Sequence, residues 1–393
     1  MHMLRSLMLL ALVTLLIGAS VPAGAADPIE FPAVLSLTGG AAFLGRAEQN
    51  ALNAAAATIN KAGGIHGRQV VISVYDDQTN AQVAVQLMTA ALQKKPLIVF
   101  DGGPAATCRA TAALVPTGPV LYCFTPAIEP TPGGFVFSSD SSSNAALAAS
   151  VRYLRERGFK RIAILNGTDA SGQEGDRILA DVIKDPDNVK AGVTYVDTEH
   201  YGLTDLSVIA QLTNIRASGA QAVINFTTGT AIATVLHGMQ DLGLDIPLVT
   251  SPGNMSYPQL ESYKSFLPKE LLFAGSPLFV PDQLTDQGVK KAVVTLAAAL
   301  KAGGQTTRPD LLNAVAWDPM MLVAGVLNRL GPDVTPDQLR TELANTRNAP
   351  GVLGRYDYRA TPQRGLSVDW IIMERWDGDK DAFVAVSKPG GTL

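Results

Sequence analysis

The sequence has few charged residues and no concentration of positive charge. Of its 393 residues, 17% are charged, and 31 Lys and Arg stand against 35 Asp and Glu, which gives a net charge of -4. No run of Lys and Arg is longer than two, so the basic patch that binds a nucleic-acid backbone is absent. A hydrophobic fraction of 47% excludes a disordered chain. We expect a globular protein of one large or two ordinary domains that does not bind nucleic acid.

Residues that carry catalytic and metal chemistry are also scarce. The chain has four histidines and two cysteines, and none of them has the spacing of a zinc site. There is no phosphate-binding loop and no nucleophile elbow, and the glycines of residues 37–45 do not follow the G-x-G-x-x-G spacing. We therefore expect no metal, no cofactor and no catalytic residues.

The first 25 residues have the three-part pattern of a secretory signal peptide. Arg5 supplies the positive charge, residues 7–17 form an apolar run, and Ala23-Gly24-Ala25 is a small-residue cleavage site. The run is shorter than the roughly 20 residues that span a membrane, so cleavage near Ala25 is favoured over a retained anchor. No cysteine follows the cleavage site to carry a lipid. We expect a soluble protein of the periplasm.

Cys108 and Cys123 are the only cysteines in the sequence. An oxidising compartment permits a disulfide between them. Two buried free thiols are the alternative, and the sequence leaves both open.

Short apolar runs alternate with helical patterns along most of the chain. The runs are continuous, which is typical of strands buried on both faces of a parallel sheet. They cover residues 70–75, 97–100, 120–124, 161–165, 222–226, 246–250 and 271–274. The helical patterns cover residues 48–61, 81–93, 145–157, 230–242, 290–301, 309–330 and 335–346. Thr335 to Gln338 predict a capping box, and residues 368–379 predict a hairpin at a sheet edge. An α/β fold with parallel sheets follows.

Glycine and small residues stand where predicted strands end and helices begin. Thr38-Gly39-Gly40, Gly102 to Thr107 and Ser251 to Asn254 occupy such turns. Helix N-termini expose unpaired backbone N–H groups, and ligands of parallel sheets bind at the carboxyl ends of the strands. A carboxylate-sized ligand would fit there, and ordinary tight turns are the alternative. For Asp76 and Asp77, between a strand and a helix, capping is favoured over acid–base chemistry.

The segment from Leu37 to Leu92 resembles the opening of the leucine, isoleucine and valine binding proteins of branched-chain amino-acid ABC transporters. The run Ile59-Asn60-Lys61-Ala62-Gly63-Gly64-Ile65-His66-Gly67-Arg68, followed by a strand and Asp76-Asp77, is specific. Similar segments at residues 118–127, 135–154 and 159–175 extend the likeness over essentially the whole mature chain. The resemblance implies a type I periplasmic binding protein, in which two doubly wound parallel-sheet lobes close on a small molecule.

The resemblance also implies the organisation of the lobes. Three crossovers are expected near Ser139, Gly275 and Arg355. The N-terminal lobe then comprises residues 26–139 and 276–355, and the C-terminal lobe comprises residues 140–275 and 356–393. A non-catalytic monomer that presents its closed form to an ABC permease of the inner membrane is implied. A sensor that presents the same form to a chemoreceptor or kinase is the alternative.

The ligand contacts that the resemblance implies lie between the lobes. The ligand carboxylate is expected at the helix after Gly102-Gly103, and a ring at the first glycine turn. The expected contacts are Phe43, Leu44, Ala105, Ala106, Thr107, Thr125, Ala127, Asp140, Ser171, Thr228 and Asn254. The aromatic residues considered for the walls are Phe43, Tyr122, Phe124, Phe226 and Tyr257.

Two departures from the family pattern bear on the ligand. Ser171-Gly172 stands where a tyrosine often precedes a glycine, and the acid that pairs with a ligand ammonium is replaced within Ser251 to Asn254. A buried ammonium without a carboxylate partner is costly, so we expect a small aromatic or alicyclic carboxylate. A branched-chain or other amino acid paired with Asp140 is the alternative. A secreted hydrolase that uses Ser171 or Asp140 is a distant one.

Overall fold

The computed structural model describes residues 27–331 and 333–393, and the predicted signal peptide lies outside them. The strands are β1 (Ile29–Leu35), β2 (Val70–Asp76), β3 (Ile98–Asp101), β4 (Val120–Cys123), β5 (Val136–Ser138), β6 (Arg161–Gly167), β7 (Thr194–Tyr201), β8 (Ala222–Asn225), β9 (Leu248–Thr250), β10 (Leu271–Gly275), β11 (Ala349–Pro350), β12 (Arg355–Tyr356), β13 (Ile372–Asp377) and β14 (Ala382–Pro389). The helices are α1 (Ala42–Lys61), α2 (Ala81–Leu92), α3 (Ala105–Ala112), α4 (Ser143–Glu156), α5 (Ala170–Val182), α6 (Pro186–Ala191), α7 (Ile209–Ala217), α8 (Ile232–Asp241), α9 (Tyr257–Ser262), α10 (Gln287–Ala302), α11 (Leu311–Leu330) and α12 (Pro336–Ala344).

The two large sheets belong to two lobes. The N-terminal sheet has five parallel strands in the order β2-β1-β3-β4-β5. The C-terminal sheet has the order β14-β13-β10-β9-β8-β6-β7, which is parallel from β10 to β7. In each sheet the chain winds outward in both directions from its first strand, β1 or β6. The predicted α/β class with two doubly wound lobes is confirmed.

Continuous burial explains why the apolar runs form strands. Every residue of β3, β4 and β8 is buried, because helices cover both faces of the sheets. Helix α11, which packs against α1, is apolar and long enough to cross a membrane, but 78% of its most apolar window is buried inside the lobe. Strand β7 was not predicted, because this edge strand has the polar sequence TYVDTEHY and is exposed at several positions.

The residues that cap the helix N-termini agree with the prediction at α12 and differ from it at α2. Thr335 and Gln338 form the predicted capping box at α12. Helix α2 is capped by Asn80 and not by the aspartates before it. Asp77 instead accepts hydrogen bonds from the Ser36 hydroxyl (2.6 Å) and the Thr79 amide (2.8 Å). The expectation that the aspartates cap α2 is therefore wrong, since they fix the turn after β1.

The C-terminal hairpin extends the sheet edge as predicted. Strand β13 pairs antiparallel with β10, and β14 pairs antiparallel with β13. The hairpin strand begins later than the sequence indicated, because Val368–Trp370 form a single 3-10 turn.

Beyond Arg355, near which the third crossover is expected, the chain still contacts strand β5 of the N-terminal sheet. Tyr358 packs edge-on against Phe137 of β5, with 5.6 Å between the ring centroids. The Gln363 carbonyl accepts a hydrogen bond from the Ser138 amide (2.9 Å). Tyr356 and Tyr358 are buried, so this segment adds two aromatic side chains to the core beside β5.

Cys108 of α3 and Cys123 of β4 form a disulfide. Both residues are fully buried in the N-terminal lobe. The bond connects the first half of α3 to the end of the neighbouring strand. Of the two alternatives that the sequence left open, the structure thus has the disulfide and not two free thiols.

Removing the disulfide will destabilise the protein. The bond closes a loop with a sequence separation of 15 residues, for which loss of the cross-link costs about 3 kcal/mol. We expect Cys108→Ala combined with Cys123→Ala to lower the free energy of unfolding by about that amount in urea titrations. Dithiothreitol should destabilise the wild type similarly and leave the double variant unchanged. Equal stability of wild type and variant would contradict the prediction.

Asp101 at the end of β3 is a buried acid without an ionic partner. One carboxyl oxygen accepts a hydrogen bond from the Thr111 hydroxyl (2.6 Å), and the other has no partner among the described residues. Burial raises the pKa of Asp101 to about 8, against the opposing effect of the Thr111 hydrogen bond. The folded protein therefore holds this proton at neutral pH.

The Asp101 proton makes folding stability depend on pH. Because the pKa is raised on folding, the stabilisation is complete below pH 3.8 and is lost as the pH rises through about 8. We expect Asp101→Asn to reduce the fall of the unfolding free energy between pH 5 and 7 by about 1.4 kcal/mol per pH unit. Urea titrations at several pH values measure it, and parallel profiles for wild type and variant would refute it.

Candidate functional site

A largely apolar cavity lies between the lobes, at the carboxyl ends of the strands. Its volume is about 530 Å³, and both lobes contribute to its wall. Among the expected ligand contacts, Phe43, Leu44, Ala105, Ala106, Thr125, Ala127, Asp140, Ser171 and Thr228 line it. The convergence follows from the topology, because parallel strands direct the turns after them to one edge of each sheet.

Two of the expected contacts, Thr107 and Asn254, lie behind the cavity wall. The Thr107 hydroxyl donates to the Pro104 carbonyl (2.8 Å), so it is turned back into its own helix. The Asn254 side chain donates to the Thr227 carbonyl (2.8 Å) and accepts from the Gly229 amide (2.9 Å). Both side chains are nearly fully buried. They hold the turns in place, and neither residue is among those that line this cavity.

The N-terminus of α3 presents free backbone donors to the cavity. The helix begins after Pro104, and no side chain caps it. Its first intrahelical hydrogen bond runs from the Cys108 amide to the Pro104 carbonyl (3.2 Å), so the amides of Ala105 and Ala106 precede the helical ladder. Because these two residues line the cavity, their N–H groups and the positive end of the helix dipole favour an anion there.

Helix α5, on the opposite wall, begins differently. Asp169 caps it and accepts hydrogen bonds from the amides of Ser171 and Gly172 (3.2 Å each). Gly172 is required at this turn, since a Cβ there would stand 1.9 Å from the Gly167 carbonyl oxygen. This helix terminus already has its negative partner, and the small side chain of Ser171 leaves space in the cavity.

The ionisable side chains in the wall are acidic. Glu48, Asp140 and Asp169 line the cavity, and no Lys, Arg or His among the described residues does. Glu48 is fully buried, which raises its pKa well above the usual range although one oxygen accepts from the Gly103 amide (2.9 Å). Burial raises the pKa of Asp140 to about 6, opposed by a hydrogen bond from the Ser141 amide and by the charge of Arg364.

Arg364 fixes the crossover on which Asp140 stands. Its buried guanidinium donates to the Asp140 carbonyl (2.8 Å), to the Ser138 hydroxyl (2.9 Å) and to the Ile128 carbonyl. Two of the three crossovers are thereby joined at one side chain. The sequence analysis did not identify Arg364, because nothing in the local sequence shows that it is buried.

Sequence reasoning also missed wall residues from the helices of the N-terminal lobe. Leu311, Leu312 and Val315 come from the start of α11, which the chain order separates widely from the glycine turns. Glu48 had a usable signal: it lies between Leu44 and Leu52 on the buried stripe of α1, where a charged residue is unusual.

The aromatic wall is smaller than the sequence suggested. Phe43, Phe124 and Phe226 line the cavity. Tyr122 instead contacts Tyr358 in the N-terminal core. Tyr257 packs against Phe383, with 5.4 Å between the ring centroids, in an aromatic cluster of the C-terminal lobe. Among the described residues, no three His, Cys, Asp or Glu side chains are grouped as a metal site requires.

Comparison with known proteins identifies this architecture. Residues 28–381 match the profile of a family described as periplasmic binding protein. An extracellular ligand-binding receptor of Rhodopseudomonas palustris HaA2 is similar in structure, with a TM-score of 0.80, 18% identity, and coverage of 91% of this chain and 99% of that one. No curated protein sequence matches the chain.

Two further similar structures have a named ligand. The branched-chain amino acid transporter substrate-binding protein LivJ of Streptococcus pneumoniae, in complex with isoleucine, has a TM-score of 0.75 and 18% identity, with coverage of 91% of this chain and 99% of that one. An ABC transporter solute-binding protein of R. palustris, in complex with benzoate, has a TM-score of 0.74 and 15% identity, with coverage of 91% and 95%. At these identities the structures show a common fold. With the family match over most of its length, the chain belongs to the periplasmic binding protein family and has its type I fold.

Proposed function

We propose that the chain is the periplasmic solute-binding component of an ABC uptake system and captures a small aromatic or alicyclic carboxylate by lobe closure. The observation that carries this proposal is the uncapped N-terminus of α3 in the cavity wall. A carboxylate placed there accepts hydrogen bonds from the first-turn amides and needs no cationic side chain. The closed form is then presented to a permease in the inner membrane.

The wall favours a ligand without an ammonium group. Of its three acids, Asp169 is occupied by the amides of its own helix, and burial disfavours the ionised form of Glu48. Burial also disfavours the ionised form of Asp140. A single negative charge at α3 is therefore repelled chiefly by Asp140 in its ionised form, and below about pH 6 the protonated Asp140 can donate a hydrogen bond to a ring substituent.

The middle of the cavity suits a flat apolar body. Phe43, Phe124 and Phe226, together with leucines from α11, supply the apolar surface. Aromatic faces and edges of this kind pack well against a ring. The benzoate complex of the similar R. palustris protein is consistent with this choice.

An amino acid is the second candidate, and Asp140 is the observation that favours it. Ionised Asp140 lies in the wall and would pair with a ligand ammonium, while α3 holds the carboxylate. The isoleucine complex of LivJ is the corresponding precedent. A hydrolase has less support, because no histidine among the described residues lines the cavity beside Ser171 or Asp140.

A ligand panel distinguishes the two candidates. We expect benzoate, hydroxybenzoates, hydroxycinnamates or alicyclic acids to raise the thermal midpoint of the mature protein, since a ligand bound only to the native state stabilises it. Leucine and polar amino acids should leave the midpoint unchanged. Asp140→Asn should retain the acid response. Stabilisation by an amino acid that Asp140→Asn abolishes would instead establish the second candidate.

The role of α3 can be tested by deleting one backbone donor. Proline at the first helical position fits the helix and removes only an N–H. Ala105→Pro should weaken binding of the acid by about tenfold or more, as expected for a hydrogen bond to a charged group. Ala170→Pro is the matched control at the capped helix α5, and it should change affinity by less than about twofold. Isothermal titration calorimetry measures both, and unchanged binding by Ala105→Pro would refute the assignment.

A further inference from the structure

A second cavity lies between the lobes beside the first. It has a volume of about 400 Å³, and Phe43 and Thr230 line both cavities. Helix α1 and residues 305–313 form its N-terminal wall, and residues 256–263 form much of its C-terminal wall. The two cavities are therefore neighbouring compartments of one interlobe cleft, with Phe43 at their boundary.

The chemistry of the second cavity differs from that of the first. Its wall is rich in amides and hydroxyls: Asn50, Thr230, Ser256, Gln259, Gln305 and Asn313. Asp310 is the one acid in this wall among the described residues, and it caps α11 by accepting from the Asn313 amide (3.2 Å). No Lys, Arg or His of the described chain lines it. An anionic ligand group would have no counter-ion here, and Asp310 is already engaged as the cap of α11, whereas an uncharged polar group would be well solvated.

Gln259 has an unused acceptor in this wall. Its amide nitrogen donates to the Gly229 carbonyl (3.2 Å). Its carbonyl oxygen is buried and has no hydrogen-bond partner among the described residues. An unsatisfied buried acceptor is unfavourable, and an N–H or O–H of a ligand in the cavity would satisfy it.

Direct contacts between the lobes hold the two walls of the second cavity together. Arg308 lies between two lining residues of the N-terminal lobe, Thr307 and Asp310. Its guanidinium stands 4.1 Å from the centre of the Tyr257 ring and 3.1 Å from the Asp381 carboxylate, both in the C-terminal lobe. Direct contacts between the two lobes therefore border this cavity.

We infer that the second cavity binds an uncharged hydrogen-bond donor, a hydroxyl or an amide N–H, at the end of the ligand remote from its carboxylate. This inference rests on the proposed function, which places the carboxylate at α3. A benzene-sized group needs only roughly 150 Å³, so a single ring leaves much of the cleft empty. The ligand class is an elongated acid with a carboxylate, a ring and a distal donor.

Two synthetic acids test this assignment. 3-(4-Acetamidophenyl)propanoate and 3-(4-acetylphenyl)propanoate share the acid and the ring, but only the first has an N–H. We expect the acetamido acid to bind the wild type about five- to tenfold more tightly, as one net hydrogen bond allows. Gln259→Leu should abolish this difference and retain binding of unsubstituted 3-phenylpropanoate. Gln240→Leu is the matched control, because Gln240 also donates to a backbone carbonyl, that of Ser265 (2.9 Å), and lines neither cavity.

The outcomes separate this inference from the proposed function. Equal affinities of the two acids for the wild type, unaffected by Gln259→Leu, would overturn the inference. Binding of 3-phenylpropanoate with exclusion of both substituted acids would also overturn it, because the second cavity would then not admit the substituent. If neither benzoate nor 3-phenylpropanoate binds the wild type, the proposed carboxylate function itself fails.

Discussion

The site depends on one constraint: the first amides of a helix have no partner within that helix. Helices that follow parallel strands direct these amides to the edge of the sheet, so each such helix needs a cap, water or a ligand. Asn80, Ser142 and Asp169 serve α2, α4 and α5. Helix α3 begins with Pro104 and has no side-chain cap. Its donors open into a cavity lined by both lobes, where the proposed anionic ligand would satisfy both their hydrogen bonds and the helix dipole.

Each acid of the cavity wall has a local feature that lessens its repulsion of an anion. Burial, a helix terminus and a neighbouring guanidinium act on Glu48, Asp169 and Asp140 respectively. Arg364 has two effects. It donates a hydrogen bond to the backbone carbonyl of Asp140, and its charge lowers the pKa of the Asp140 carboxyl against the effect of burial. The same side chain thus links the geometry at the crossover to the electrostatics of the ligand site.

The sequence predicted the fold better than the site, and the reason is physical. Strands such as β4 and β8 are buried along their whole length, so their apolar runs are local signals. Edge strand β7 has no such signal. In the site, Thr107 does not line the cavity, because a threonine in a first helical turn can satisfy its hydroxyl on its own helix, as the 2.8 Å bond to Pro104 shows. Leu311 lies in the cavity wall and Arg364 lies beside Asp140 because of how segments distant in sequence pack together, and no local sequence pattern encodes this packing.

Closure of the cleft does not rest on the ligand alone. Arg109 of α3 lies 3.5 Å from Glu174 of α5 on one flank, and Arg308 pairs with Asp381 on another. Ion pairs with at least one exposed partner contribute little each, so these two favour contact between the lobes without fixing it. A ligand then needs to supply only the remaining difference between open and closed forms, and any such bias raises its apparent affinity. Because the ion pairs join two parts of the protein and do not contact the ligand, they raise the affinity for all ligands equally. Selectivity is then determined by the amides of α3 and the apolar wall beside them.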